Sequence, residues 1–256
     1  MATYKKKGHK PTTKEDRRKQ VEEESTTAEV FNTLDEGANK TEEWVASNQK
    51  YIYIIVGLAA LFILGYLGYN RFIQEPKENE AANEMFQAQE YFNQALDNNA
   101  AQSDSLYNMA LNGGQGKFGF LDIIDEYGST NAANLANYYA GFAYLNTNRY
   151  QEAIEYLEDF DSDDEILAPL ATAGIGDAFL QLNQPEEALN YYEKAASMRS
   201  NSFSTPKALL KAAITAIQLG KGEEAAEHLN RIKNEFDGTP EAEQVPIYLG
   251  RAQAMN

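Results

Sequence analysis

The sequence contains no cysteine, which excludes disulfide bonds, thiolate metal sites, a cysteine nucleophile and lipid attachment through an N-terminal cysteine. Histidine is nearly as scarce. His9 lies in a basic stretch, and His228 stands between Glu227 and Leu229, where we expect it at the surface. Neither histidine belongs to an HExxH motif or a Ser–His–Asp series, and no GxSxG motif occurs. The sequence therefore predicts no enzyme, no metal site and no cofactor.

Two short stretches resemble ligand-binding loops, but the required residues are missing. In GGQGKFG (113–119), Phe118 follows Gly-Lys where a phosphate-binding loop needs Ser or Thr. In DFDSDDE (159–165), counting from Asp159 puts Asp164 and Leu170 where a calcium-binding EF-hand loop needs Gly and Glu. We interpret the first stretch as an interhelical turn and the second as a solvated loop.

Positive charge is concentrated at the start of the chain. Residues 1–20 contain eight Lys or Arg and two acids, and residues 21–50 contain two Lys and eight acids. Residues 70–256 contain twelve Lys or Arg and 29 acids, and so account for the whole net charge of −17. An acidic body repels the phosphate backbone, which argues against a nucleic-acid partner.

Residues 51–69, YIYIIVGLAALFILGYLGY, form an uncharged run of nineteen residues. Crossing a membrane takes about 20 apolar residues, and the tyrosines at both ends are typical of membrane interfaces. A buried helix of a soluble protein is the alternative, but such helices seldom lack charge for so long. The run begins too late for a cleaved signal peptide. We predict an uncleaved single-pass anchor in the inner (plasma) membrane, with the basic N-terminus cytoplasmic and the acidic body periplasmic.

The composition divides the chain into four parts. We predict a disordered basic cytoplasmic tail over 1–25, an amphipathic juxtamembrane helix over 26–50 and a transmembrane helix over 51–70, with Pro76 ending any helix that continues. The fourth part, 77–256, is a helical repeat domain. Small residues share a sector of roughly 140° on the membrane helix, where another helix can pack closely. They are Gly57, Ala60, Gly65 and Gly68.

Three stretches of the fourth part resemble one another: NRYQEAIEYLEDF (148–160), NQPEEALNYYEKA (183–195) and GKGEEAAEHLNRI (220–232). Their equivalent residues Ala153, Ala188 and Ala225 are 35 and 37 positions apart. A period of this size indicates a helical solenoid. We expect the clearest repeats at 134–168, 169–205 and 206–239, a divergent repeat formed by SDSLYNMAL and KFGFLDIIDEY before them, and a capping helix at 240–256.

The period and the residues resemble the tetratricopeptide repeat, which implies an all-α solenoid that binds proteins in a groove formed by the first helix of each repeat. Small residues stand where the two helices of a repeat touch: Gly141 and Ala153, Gly176 and Ala188, and Ala213 and Ala225. The tryptophan-type position is instead occupied by Asn137, Thr172 and Leu209. By the motif's phase, partner-binding residues would be Leu135, Tyr138, Phe142, Asn146, Asp177, Gln181, Ile214 and Gln218. The apolar ones among them are alternatively core residues between repeats.

The whole layout resembles the YfgM-type ancillary subunits of the Sec translocon, because Trp44, Asn48, Tyr91 and Asn93 match aromatic and Asn positions on either side of that family's membrane helix. The resemblance implies a non-enzymatic, membrane-anchored scaffold that assists protein export. Its partners would be a SecYEG-like channel, a periplasmic chaperone such as PpiD and, by extension, nascent chains. The alternative is a repeat protein that coordinates envelope assembly or cell division.

Overall fold

The structure, a computed structural model, describes residues 14–97 and 100–255, with side chains over 41–97 and 102–255. All regular elements within these ranges are helices. They divide into two compact units that meet at the Tyr69–Asn70 bond. The helices are α1 (Lys14–Tyr69), α2 (Glu75–Asp97), α3 (Ala100–Asn112), α4 (Phe120–Tyr127), α5 (Asn131–Asn146), α6 (Tyr150–Asp159), α7 (Leu167–Gln181), α8 (Pro185–Met198), α9 (Ser204–Gln218), α10 (Gly222–Glu235) and α11 (Pro240–Gln253).

The first unit consists of α1, which begins at Lys14 and has no break at residues 25 or 50. The prediction of disorder over 1–25 is therefore wrong for residues 14–25, while residues 1–13 lie outside the described range. Residues 14–24, KEDRRKQVEEE, are mostly Lys, Arg, Glu and Gln, which have high intrinsic helix propensity. That propensity explains why a charged stretch forms a helix without an apolar face.

The apolar part of α1 is exposed along its length. Leu61 and Phe62 are 68% and 78% exposed. Among the described residues, one helix is long and apolar enough to cross a membrane, with a window of mean hydropathy 2.1 that buries none of its residues against protein. A Cβ atom added at Gly57, Gly65 or Gly68 would have no described atom within 4 Å, apart from atoms of its own helical turns. The small-residue face, which includes Ala60, is thus uncovered by the described chain.

Pro76 does not end a helix, contrary to the sequence prediction. It lies at the second position of α2, immediately after a π-helical turn at Asn70–Gln74. Proline lacks a backbone N–H, and its ring clashes with the carbonyl four residues earlier in a regular α-helix. The carbonyl four residues before Pro76 belongs to Phe72, which lies in the wider π turn. The helical structure therefore continues through the proline.

The second unit begins with an antiparallel pair formed by α2 and α3. The buried face of α2 consists of Ala81, Met85, Ala88, Tyr91, Phe92 and Ala95. Helix α4 packs mainly on α5, and its contact with α3 is smaller. The predicted divergent repeat, with α3 and α4 as partners, is therefore wrong. Helix α4 has only eight residues, and a loop containing three positive-φ residues separates it from α3, so α3 packs on the longer α2 instead.

The three helix pairs α5–α6, α7–α8 and α9–α10 form the rest of the solenoid, and α11 packs on the last pair. Their helices begin two or three residues before the repeat boundaries expected from the sequence. In the first two pairs, a glycine on the first helix allows the two helices to pack closely. A Cβ atom at Gly141 would lie 2.5 Å from Cγ of Leu157, and one at Gly176 would lie 2.6 Å from the ring of Tyr192. Each glycine thus creates the space that a large buried residue of the second helix fills.

A left-handed residue makes the turn within each pair. Asn148 (φ 62°), Asn183 (φ 58°) and Gly220 (φ 78°) occupy equivalent positions after α5, α7 and α9. Asparagine and glycine are the residues that adopt this conformation at least cost. In each turn, the N–H group of the next residue donates to a carbonyl near the end of the first helix, with N···O distances of 2.9 Å. The turns therefore end the first helices at a defined residue.

The N-terminus of α5 has all of its free backbone N–H groups satisfied. The N–H groups of Asn131 and Ala132 donate to the two carboxylate oxygens of Glu78 on α2, at 2.8 and 2.9 Å. The N–H of Ala133 donates to the Thr130 hydroxyl, and the N–H of Thr130 donates to the Tyr127 carbonyl. A carboxylate at this end also interacts favourably with the helix dipole. Glu78 thereby connects α2 to the first of the three repeats.

We expect Glu78→Gln to lower the free energy of unfolding by about 1 kcal/mol, because the amide offers one acceptor oxygen and no charge to the two N–H groups. Urea unfolding of the full chain in detergent micelles, followed by circular dichroism, measures the change. The control is Glu90→Gln on the same helix, because the exposed Glu90 accepts one hydrogen bond, from Gln94, that a glutamine also accepts. Equal stability of the two variants would contradict the capping role.

Candidate functional site

The first helices of the repeats lie beside one another. Helix α5 contacts α7, and α7 contacts α9, whereas no comparable contact joins α6 to α8 or α8 to α10 within residues 100–255. The first helices are therefore closer together than the second helices, as they are on the concave side of a superhelix. We call the surface formed by α5, α7 and α9 the groove.

Three of the predicted groove residues belong to the core between repeats. Leu135, Tyr138 and Phe142 are half-buried and pack against the apolar clusters of the domain. The ring of Tyr138 lies 4.8 Å from that of Phe142, and burial raises the pKa of Tyr138 to about 12. A Cβ atom at Gly174 would lie 2.9 Å from the Phe142 ring, so α7 covers this side chain. These residues hold α5 against α7 and offer little free surface to a partner.

Asn146, Asp177 and Gln181 come together at one pocket. It has a volume of about 380 Å³ and lies between the C-terminal ends of α5 and α7. Leu145, Asn148, Tyr150 and Leu180 complete its lining. Asn146 and Gln181 are exposed, and the Asn146 amide donates to the Phe142 carbonyl at 2.8 Å. The pocket therefore combines exposed amide groups with two leucines, a composition that suits a peptide with both polar and apolar groups.

Asp177 has partners within the protein. Its carboxylate accepts from Lys211 Nζ at 2.5 Å and from the Tyr192 hydroxyl at 2.8 Å. These groups lie on three helices, α9, α8 and α7, so the cluster joins the second and third repeats. The hydrogen bond and the negative charge of Asp177 contribute to a raised pKa at Tyr192, although burial of the phenol is the larger cause. Asp177 is thus a structural residue at the edge of the pocket.

The two remaining predicted residues, Ile214 and Gln218, are exposed on α9 and do not line this pocket. Leu210, which the same phase places in the groove, is only 8% exposed. The predicted set thus separates into a half-buried apolar group, a pocket group that includes Asn146 and Gln181, and an exposed pair on α9.

Asn148, Tyr150 and Lys211 also belong to this region, although the sequence pattern does not indicate them. The Tyr150 hydroxyl donates to Asn148 Oδ1 at 2.7 Å, beside the turn between α5 and α6. Asn148 was recognisable as a turn residue, but a repeat period does not show that the next helix pair brings Gln181 beside that turn. Lys211 gives no local signal, because its role depends on Asp177, 34 positions earlier.

The two loops that resemble ligand sites have structural roles. Asp164 Oδ1 accepts from the N–H groups of Leu167 and Ile166 at 2.8 Å, and these two bonds lower the pKa of Asp164. Asp164 thus caps α7. In the glycine-rich loop, Gly114 and Lys117 form an isolated β-bridge, and Gly113, Gln115 and Gly116 have positive φ. The loop is a turn between α3 and α4.

The groove offers a surface to which a protein chain can bind. Its described residues do not form a group suited to acid–base or nucleophilic catalysis. An all-α solenoid with such a groove defines a protein-interaction scaffold. Comparison with protein families agrees: residues 135–163 and residues 179–245 match models of the tetratricopeptide repeat, and neither match is to a catalytic family. The chain therefore contains tetratricopeptide repeats within these two ranges. No curated protein matches it.

Proposed function

We propose that this chain is a single-pass membrane protein whose groove holds a protein partner of the Sec-dependent export machinery. The partners we favour are a SecYEG-like channel, a membrane-anchored periplasmic chaperone such as PpiD and emerging chains. The observation that carries the binding part of the proposal is the pocket at Asn146 and Gln181. It lies on the concave face, it presents polar and apolar groups together, and no segment among the described residues fills it.

The membrane part of the proposal is supported by the apolar segment of α1. Nineteen uncharged residues with no protein cover favour a lipid environment over water. The basic residues before this segment favour a cytoplasmic N-terminus, and the acidic repeat domain is then periplasmic. The uncovered face with Gly57, Ala60, Gly65 and Gly68 allows close approach of a partner's membrane helix, such as one from the channel or the chaperone.

The export part of the proposal is supported by the resemblance around the membrane helix. Trp44 is 62% exposed, and Asn48 donates its amide hydrogen to the Trp44 carbonyl at 2.8 Å. Asn93 is exposed on α2, whereas Tyr91 is 5% exposed and belongs to the core. Trp44 and Asn93 are thus available to a partner, and Tyr91 acts through packing. The alternative is a role in envelope assembly or cell division, which no observation on the described residues favours.

The test is a pull-down of the full-length protein in mild detergent with quantitative mass spectrometry. The groove variant carries Asn146→Arg and Gln181→Arg, which put two long cations into the pocket. The matched control carries Gln151→Arg and Asn190→Arg, which add the same charge to exposed positions on the second helices α6 and α8. We expect the wild type and the control to enrich channel subunits and a chaperone equally, and the groove variant to lose at least one of them by about tenfold.

Two results would contradict the proposal at different points. Enrichment of division or envelope-assembly proteins, lost in the groove variant, would reject the export role and keep the groove. Equal recovery of every partner with the groove variant and the control would reject the groove as the binding surface. Circular dichroism of both variants confirms that the helices are intact before the comparison is made.

A further inference from the structure

His228 does not lie at the surface, contrary to the expectation from the sequence. Its side chain is 15% exposed, and its Nε2 atom is buried without a hydrogen-bond partner. Glu193 Oε1 on α8 lies 3.0 Å from this nitrogen, a distance that an ion pair with a protonated imidazole also explains. An unprotonated Nε2 carries a lone pair, and a cation bound between it and the carboxylate would satisfy both groups.

A second carboxylate completes the cluster. Glu224 lies four residues before His228 on α10, and residues at this spacing share one face of a helix. One ligand atom each from Glu193, Glu224 and His228 can be chosen so that all three lie within 4.8 Å of one another. Zinc binds such atoms at about 2.0–2.2 Å, which puts the ligands of a tetrahedral site roughly 3.3–3.6 Å apart. Both glutamates are partly exposed, so their carboxylates can rotate towards an ion.

We propose that Glu193, Glu224 and His228 bind a divalent transition-metal ion, for which zinc is the best match. One imidazole nitrogen and two carboxylate oxygens are ordinary zinc ligands, and their two negative charges balance the ion. Calcium and magnesium prefer more ligands, all of them oxygen. A zinc ion here would keep a fourth position open to water. The site is independent of the groove, because it lies on the second helices of the repeats.

The surroundings permit the ion to enter and the carboxylate to move. Glu224 lines an open depression of about 470 Å³ along Gly220–Glu227, so solvent reaches this carboxylate from that side. Lys221 is the competing cation. Its Nζ lies 2.8 Å from Glu186 but 3.7 Å from Glu224, and both pairs are partly exposed. Lys221 therefore retains its closer partner when Glu224 turns towards the metal ion.

The ion would link two repeats. Glu193 lies on α8 and the other two ligands on α10, helices that have little direct contact. A ligand that binds the folded state and not the unfolded one raises the midpoint temperature of unfolding. Zinc is therefore expected to stabilise the junction between the second and third repeats.

The experiment uses the full-length protein in detergent micelles, purified through a tag without histidine and freed of metal with a chelator. Zinc binding is measured by isothermal titration calorimetry, and thermal unfolding is followed with and without Zn²⁺. We expect one ion per chain and a higher midpoint temperature with zinc. His228→Ala and the nearly isosteric Glu193→Gln are each expected to weaken binding about tenfold or more, because each removes one of three ligands.

Two controls separate the site from general binding to an acidic protein. Glu227→Gln removes an exposed carboxylate from the same helix, and His9→Ala removes the other histidine of the chain; both are expected to bind zinc like the wild type. The midpoint temperatures of the metal-free variants show whether each one is folded. Wild-type affinity in folded Glu193→Gln, or in folded His228→Ala, would overturn the proposal. Absence of saturable binding by the wild type would overturn it as well.

Discussion

Replacing Tyr192 with alanine is expected to lower the free energy of unfolding by about 3–5 kcal/mol, the largest loss of stability that we predict for a single substitution here. The side chain is 1% exposed, and its ring fills the space beside Gly176 on the first helix of the same repeat. The substitution leaves a cavity that a helix pair in close contact cannot collapse to fill. It also removes the hydroxyl that donates to Asp177.

Two controls divide this loss into its parts. Tyr192→Phe keeps the ring and removes only the hydroxyl, so a loss of about 1 kcal/mol is expected. Asn190→Ala changes an exposed residue of the same helix and is expected to have little effect. Urea unfolding of the full chain in micelles, followed by near-ultraviolet circular dichroism, measures all three. Equal losses for Tyr192→Ala and Tyr192→Phe would show that the ring contributes no packing energy, contrary to the structure.

The second large effect concerns membrane attachment. Leu58→Arg together with Leu61→Arg puts two charges near the centre of the apolar segment, where each arginine costs about 2.5–3.5 kcal/mol. Most of the protein is then expected to leave the membrane fraction after an alkaline carbonate wash, while the wild type remains. Exposed positions were chosen so that no packing within the protein changes.

Tyr51→Arg together with Tyr69→Arg is the matched control, with the same charges at the ends of the segment. There the long side chains reach the headgroup region at little cost, so this variant is expected to stay in the pellet. If the central and the terminal variants were extracted to the same extent, the segment would not lie across a bilayer. If the central variant stayed in the membrane pellet only when a partner protein was present, contacts with that protein would hold the helix in the membrane.

Much of the repeat architecture was predictable, because its signals are local in the sequence. Ala153, Ala188 and Ala225 recur at the period of one repeat, and each is fully buried. The asparagine or glycine that makes each turn stands two positions before the first residue of the second helix. The small residues Gly141 and Gly176 lie where two helices must approach closely, so their positions follow from the packing within a single repeat.

The features that sequence reasoning missed depend on neighbours far along the chain. Tyr138 and Phe142 have the phase of groove residues, but α7 and Phe160 cover them, and a helical period cannot show which face a neighbour covers. His228 stands between Glu227 and Leu229, which does not show that the structure encloses it next to Glu193, 35 positions earlier. The partners of α3 and α4 were misassigned for a different reason: the glycine-rich loop between them resembles the turn of a helix pair, whereas each helix packs mainly on its other neighbour in the chain, α3 on α2 and α4 on α5.

The bond between Glu78 and α5 has a consequence for the order in which the domain folds. Contacts in a helical solenoid are mostly local, so folding can begin in any repeat and spread to the next. The Glu78 carboxylate is an exception, because it meets the N–H group of Asn131 across 53 positions of sequence. Closing a loop of this length costs entropy before any contact is gained. We therefore expect the three repeats to form early and α2 to dock late, as the slowest step of folding.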